Sequence, residues 1–187
     1  MTGTISSTDQ LFLLACAREA IGARLSRRTP VYPPTPPSLE GESGAFVTLK
    51  SRGELRGCIG HVNACQPVAD AVKSAAVASA FNDPRFPPLT PSEWPHVRIE
   101  ISVLSQFEPV TDAGRITVGV HGVMIRSGYH SGLLLPQVAT EQGWDRETFL
   151  SHACRKAGLP PEAWRGPAVT IETFTASVFH ESEIRES

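Results

Sequence analysis

Proline decides where regular structure cannot run in this chain. Five of its 16 prolines, Pro30, Pro33, Pro34, Pro36 and Pro37, fall within residues 29–43. Proline lacks the N–H that a helix interior or a central strand requires, so 29–43 is predicted to be an extended, polyproline-like connector over the surface. Pro84, Pro87 and Pro88 end one helical stretch, and Pro160 with Pro161 end another. The elements between these breaks are short. A helix is expected over about 7–28, capped by Ser7 or Thr8, because Leu14, Ala17, Ile21 and Leu25 recur at helical spacing. Strands over 45–50 and 54–59, joined by a short loop holding Gly53, read as a hairpin. Pro67 opens a helix to about Asn82, whose alanine-rich side allows close approach to a sheet. Val97, Ile99, Ile101 and Val103 then alternate with Arg98, Glu100 and Ser102, which marks a two-faced strand.

In the second half, Ile116, Val118 and Val120 alternate like a strand up to His121-Gly122. A hairpin over 123–126 and 133–135 follows, turning through 127–132, and Pro136 starts a short helix to Gly143. Asp145 caps a helix with Phe149, Leu150, Ala153, Cys154 and Ala157 on one face, which Gly158 ends. A last strand over 168–180 changes phase, since Val169 and Ile171 are out of step with Phe174, Ala176 and Val178. A bulge or sharp bend is therefore expected near Thr173. Hairpins dominate and strand–helix alternation is missing, so the fold class is α+β, a mainly antiparallel sheet flanked by helices.

The 187 residues suit one domain with its own core. Lys+Arg 17 against Asp+Glu 19 gives a net charge of −2, which argues against whole-surface binding of nucleic acid and leaves a local basic groove open. The apolar run at 11–17 is too short for a membrane span and has no basic segment before it. Cys16, Cys58, Cys65 and Cys154 are scattered without a C-x-x-C pair, as expected for reduced thiols in a cytoplasmic protein. No dinucleotide, P-loop, zincin or nucleophile-elbow motif occurs, and no cofactor is expected.

The segment Leu55-Arg56-Gly57-Cys58-Ile59-Gly60-His61 concentrates the chemistry. Gly57 and Gly60 bracket Cys58 and mark a bulge, a close packing contact or a ligand approach. In an unbroken strand Arg56 shares a face with Cys58 and favours its thiolate, and His61 becomes a proton acceptor if Gly60 bends the chain. A small buried cysteine in a tight hairpin is the competing reading. Asp83 and Arg85, just past a helix end, are candidates for binding, against a simple local turn with Phe86 entering the core. Glu100 faces either solvent or a cleft, with Arg98 as its same-face partner. His121 and Gln137 are weaker binding candidates. Cys58, His61 and His121 are metal-ligand types, but they lack paired zinc spacing and no metal is expected. Trp144 and Trp164 read as packing anchors.

The L-R-G-C-I-G hexapeptide at 55–60 resembles the hallmark of the AMMECR domain family, whose microbial members are called AmmeMemoRadiSam system protein A. The likeness extends to Phe46-Val47-Thr48-Leu49, Asp83-Pro84-Arg85-Phe86, Glu100 to Leu104, Gly119-Val120-His121-Gly122 and the segment 132–139, and spans roughly 44–180. It implies a single domain over 8–182, with the connector at 29–43 inside it. This domain has a large α+β part, a smaller β-rich part and a cleft between them where the motifs gather. The resemblance also implies a modification system containing a Memo-type protein and a radical S-adenosylmethionine enzyme. It supplies no reaction. Two readings stand. One is an accessory or binding component that recognises a protein, peptide or RNA through Arg56, Gly57, Gly60, Asp83, Arg85, His121 and Gln137. The other is an enzyme with Cys58 as nucleophilic or redox thiol and His61 or Glu100 moving protons.

Overall fold

The computed structural model describes residues 5–62 and 64–181; the expected domain end at residue 182 lies outside the described residues. In chain order the elements are α1 (Ser7–Leu25), β1 (Ala45–Ser51), β2 (Glu54–His61), α2 (Val68–Phe81), β3 (Val97–Leu104) and β4 (Glu108–Val110). There follow β5 (Gly122–Ser127), β6 (His130–Leu134), α3 (Pro136–Glu141), α4 (Arg146–Lys156), β7 (Thr170–Phe174) and β8 (Ala176–His180). The chain forms two compact units, the second being Ser105–Ala176 and the first the described chain on either side of it. Each has a four-stranded sheet, ordered β2-β1-β3-β8 in the first and β4-β7-β5-β6 in the second.

In the first unit β1 lies between β2 and β3 and runs antiparallel to both. Its inward residues Ala45, Val47 and Leu49, with Val97, Ile99 and Ile101 of β3, are fully buried against Leu13, Ala17 and Ile21 of α1 and Val68, Ala71 and Val72 of α2. Each buried Val, Leu or Ile among them contributes about 1.5–3 kcal/mol by leaving water, and each alanine correspondingly less. The β1–β2 hairpin turns on Arg52 and Gly53, both at positive φ (53° and 86°). That geometry matches the twist of the flanking strands. The cap of α1 is Ser6, one residue earlier than expected: Ser6 is extended and its Oγ accepts the Asp9 N–H at 3.1 Å, whereas Ser7 is already helical. The helix stops at Leu25 because Arg27 takes φ 53° and Arg28 N–H returns to the Ala23 carbonyl at 2.9 Å. The connector at 29–43 is extended apart from one tight helical turn at Pro37–Leu39, whose Leu39 is buried in the core.

The alanines of α2 do let it approach the sheet. A Cβ on Gly57 would lie 2.2 Å from the Ser79 carbonyl oxygen. At this contact the Ser79 hydroxyl accepts the Ile59 N–H at 3.0 Å and sits 2.7 Å from the Val47 carbonyl. Val47 and Ile59 are register partners, so the hydroxyl bridges two strands at a rung of their ladder.

In the second unit all strand pairs are antiparallel. Phe149, Leu150, Ala153 and Cys154 of α4 pack with Ile116, Val123, Ile125 and Ile171, and Trp144 and Trp164 pack partly buried against this core. Asp145 caps α4 through the Thr148 N–H at 2.8 Å, as expected. The expected strand at 116–120 does not form. Ile116 N–H bonds Ala113, while Val120 and His121 N–H both bond Thr117, so successive turns consume the groups a ladder needs. The expected long turn at 127–132 shortens to Gly128-Tyr129, and β6 starts at His130. The single strand expected over 168–180 is two strands in different sheets, divided at Thr175. The change of phase read near Thr173 marks this transfer.

Candidate functional site

The site is built on β2. Against β1, Leu49 pairs with Gly57 and Lys50 with Leu55, so Arg56 is the extra residue of a bulge. The unbroken strand that would point Arg56 and Cys58 the same way therefore does not exist. Arg56 instead donates to Glu93 through Nε (2.8 Å) and Nη2 (3.3 Å), and to the Pro87 carbonyl (2.9 Å). The Arg56 guanidinium, helped by Thr90, holds the Glu93 carboxyl down at about 2.

Asp83 and Arg85 meet Cys58 from the loop just past the end of α2. The buried Asp83 carboxylate accepts the Cys58 N–H at 2.8 Å. Arg85 grips the same carboxylate with Nε (3.0 Å) and Nη2 (2.7 Å), and its Nη2 also reaches the Cys58 carbonyl at 3.3 Å. The Arg85 guanidinium and the two backbone N–H groups hold the Asp83 carboxyl far below the ordinary carboxylate range. β2 is an edge strand. The acid–guanidinium pair supplies at Cys58 the acceptor and the donor that a neighbouring strand would offer. Phe86 is half-buried, with the Arg56 and Arg85 guanidinium groups 5.8 and 5.5 Å from its ring centre.

Thr48 is register partner to Cys58 on one side and to Glu100 on the other, which sets the three abreast on the sheet face opposite the core. The Thr48 hydroxyl donates to the Cys58 sulfur at 3.2 Å. Glu100 pairs with Lys50 at 3.0 Å, not with Arg98 as expected, because the lysine reaches across from β1. The half-exposed Cys58 thus belongs to a polar row rather than to the core. His61 is the partner of Ala45 and has the opposite parity to Cys58, so it lies on the other face and exposed; Gly60 does not bend it back. The room at Gly60 is taken by the Phe46 ring, 2.4 Å from where a Cβ would sit. The Ser79 carbonyl fills the room at Gly57, so both glycines serve close internal packing.

His121 and Gln137 belong to the second unit. His121 Nδ1 accepts the Thr117 N–H at 3.0 Å and closes a turn. Gln137, in the first turn of α3, has its Oε1 buried without a hydrogen-bond partner among the described residues. Among the described residues no cluster of three or more His, Cys, Asp or Glu side chains is arranged to hold a metal, and no helix is long and apolar enough to cross a membrane. Thr48, Ser79, Lys50 and Glu93 escaped the sequence reading. For Thr48 and Lys50 a signal existed, since both alternate with the inward Val47 and Leu49.

A model of the AMMECR1 family matches residues 14–179. A protein of Thermofilum pendens is 42% identical, covering 96% of this chain and 93% of its own. Protein MK0488 of Methanopyrus kandleri is 45% identical, covering 92% of this chain and 88% of its own. The crystal structure of the uncharacterized protein PH0010 of Pyrococcus horikoshii superposes with a TM-score of 0.85 at 41% identity, over 91% of this chain and 90% of that one. The L-R-G-C-I-G segment, the α+β architecture and these relatives lead to one conclusion: the chain belongs to the AMMECR1 family.

Proposed function

We propose that the chain is a recognition component of a modification system, acting with a Memo-type protein and a radical S-adenosylmethionine enzyme, and that the polar row around Cys58 takes part in that recognition. The resemblance noted in the sequence is the source of the partners. The observation that supports recognition over independent catalysis is the pairing of charges around the thiol. Asp83 is bound to Arg85, Arg56 to Glu93 and Glu100 to Lys50, while the sulfur accepts from Thr48. Such an array is preorganised for contact and, among the described residues, sets no base on the sulfur. With a net charge of −2, a protein surface suits it better than RNA. Co-expression of the tagged chain with the Memo-type and radical enzymes of the same organism tests this. Retention of a complex through size exclusion, weakened by Arg85→Glu or Glu100→Lys, is expected. Failure to associate with either enzyme, together with turnover of a substrate by the isolated chain, overturns it.

A second reading, Cys58 as a nucleophilic or redox thiol, is favoured by the half-exposed position of the residue and by the Arg85 guanidinium that reaches its carbonyl at 3.3 Å. Limited iodoacetamide treatment followed by mass spectrometry separates the two. Cys58 alkylated faster than the exposed Cys65 supports the thiol reading, and Cys58 left unmodified in the folded protein removes it.

A further inference from the structure

We infer that the end of α1 carries a separate binding site, for a phosphate monoester borne on a flat, largely apolar body such as a nucleoside monophosphate. A groove of about 540 Å³, open to solvent, lies there, comparable in volume to small-molecule sites. Val77 and Pro30 give it apolar surface, Tyr32 an aromatic ring, and Arg24, Arg27 and Arg28 three guanidinium groups. None of these residues belongs to the cluster around Cys58.

The charge at this cavity is not neutralised from within. Arg28 is paired with Glu19 through Nη2 at 2.7 Å. Among the described residues no carboxylate pairs with Arg24 or Arg27; Arg24 lies 5.2 Å from the Phe81 ring centre. Two guanidinium groups without a carboxylate partner thus line one groove in a chain whose net charge is −2. Lys73 adds a further cation 4.6 Å from the Tyr32 ring centre, although it also pairs with Asp70.

Arginines at a helix C-terminus ordinarily answer the exposed carbonyls and the helix dipole. Here the backbone already does so, through Ser26 N–H to Gly22, Arg27 N–H to Arg24 and Arg28 N–H to Ala23, at 3.0, 3.2 and 2.9 Å. Among the described residues the guanidinium groups of Arg24 and Arg27 carry no carboxylate, and Arg24 rests against the Phe81 ring. Arg27 also holds φ 53°, at the position where a helix most often ends on glycine. An arginine there sacrifices backbone comfort, so its value lies in its side chain. Paired guanidinium groups bind phosphate oxygens by charge-assisted hydrogen bonds, and the apolar and aromatic lining accommodates the body to which the phosphate is attached.

Calorimetric titration of the full chain with adenosine 5′-monophosphate, adenosine and inorganic phosphate tests the site. The monophosphate is expected to bind saturably at one site per chain, more tightly than either fragment. Arg24→Gln with Arg27→Gln should weaken it about tenfold or more. Arg27→Gly guards against a folding artefact: its melting temperature should equal or exceed that of the parent while binding weakens. The proposal is overturned if the monophosphate shows no saturable binding. It is equally overturned if adenosine or inorganic phosphate binds as tightly, or if binding is unchanged in folded variants.

Discussion

The carboxylate of Asp83 and the backbone N–H of Cys58 meet at 2.8 Å although 25 residues separate them, and the same carboxylate carries Arg85. Removing the acid strands a half-buried N–H on the edge of β2 and frees a guanidinium. Asp83→Ala should therefore destabilise the protein by about 2–3 kcal/mol. Asp83→Asn, which keeps an acceptor for the N–H, should cost less. Urea denaturation of the two variants gives the comparison.

Acid should weaken the fold through the same neighbourhood. Glu93 titrates at about 2 in the folded state against an ordinary 4.5, and Asp83 is depressed as well. Between those values the unfolded chain binds more protons than the folded one, so stability rises with pH through that window. The contribution is complete above about pH 5 and is lost as pH falls towards 2. Urea midpoints measured from pH 2 to 6 should show this slope, and Glu93→Gln should flatten it.

The contact of α2 on β2 leaves no space at Gly57. The nearest atom to an added Cβ is a backbone oxygen, which cannot swing aside. Gly57→Ala should destabilise by about 2–3 kcal/mol. Ser79→Ala should cost about 1–3 kcal/mol, because the Ile59 N–H and Val47 carbonyl lose their bridge. Thermal melts of each single variant check both values.

Thr48 lends the Cys58 sulfur its hydrogen bond. Thr48→Val keeps the shape and removes the donor, so alkylation of Cys58 at neutral pH should slow about threefold or more. The exposed Cys65 provides the internal reference rate in the same mass-spectrometric time course.

What the sequence discloses is what neighbours along the chain decide. Asp145 as cap and Phe149, Leu150, Ala153 and Cys154 as one face are local facts of α4, and the alternation at Val97–Leu104 is a local fact of β3. The direction of Arg56 is not local. It depends on a bulge and on Glu93, which α2 and the loop after it bring back to β2. The parity of His61 relative to Cys58 follows from counting along β2, because the strand stays in register through Gly60. Ile116, Val118 and Val120 show how alternation misleads: the same spacing serves a run of turns whose carbonyls are already occupied. Ser79 was hidden among alanines, where a serine in a helix face looks like one more small residue. Only the rung between Val47 and Ile59 explains it.

The passage of the chain at Thr175 from β7 to β8 has a consequence for biosynthesis. The first sheet is begun by strands made before the second unit and completed by one made after that whole unit has been translated. Until β8 emerges, β3 presents an unpaired edge of backbone donors and acceptors, a template for association with other nascent chains. A product that stops before β8 would retain the Cys58 neighbourhood and still be prone to aggregate, so β8 acts as the closing stitch of the first sheet.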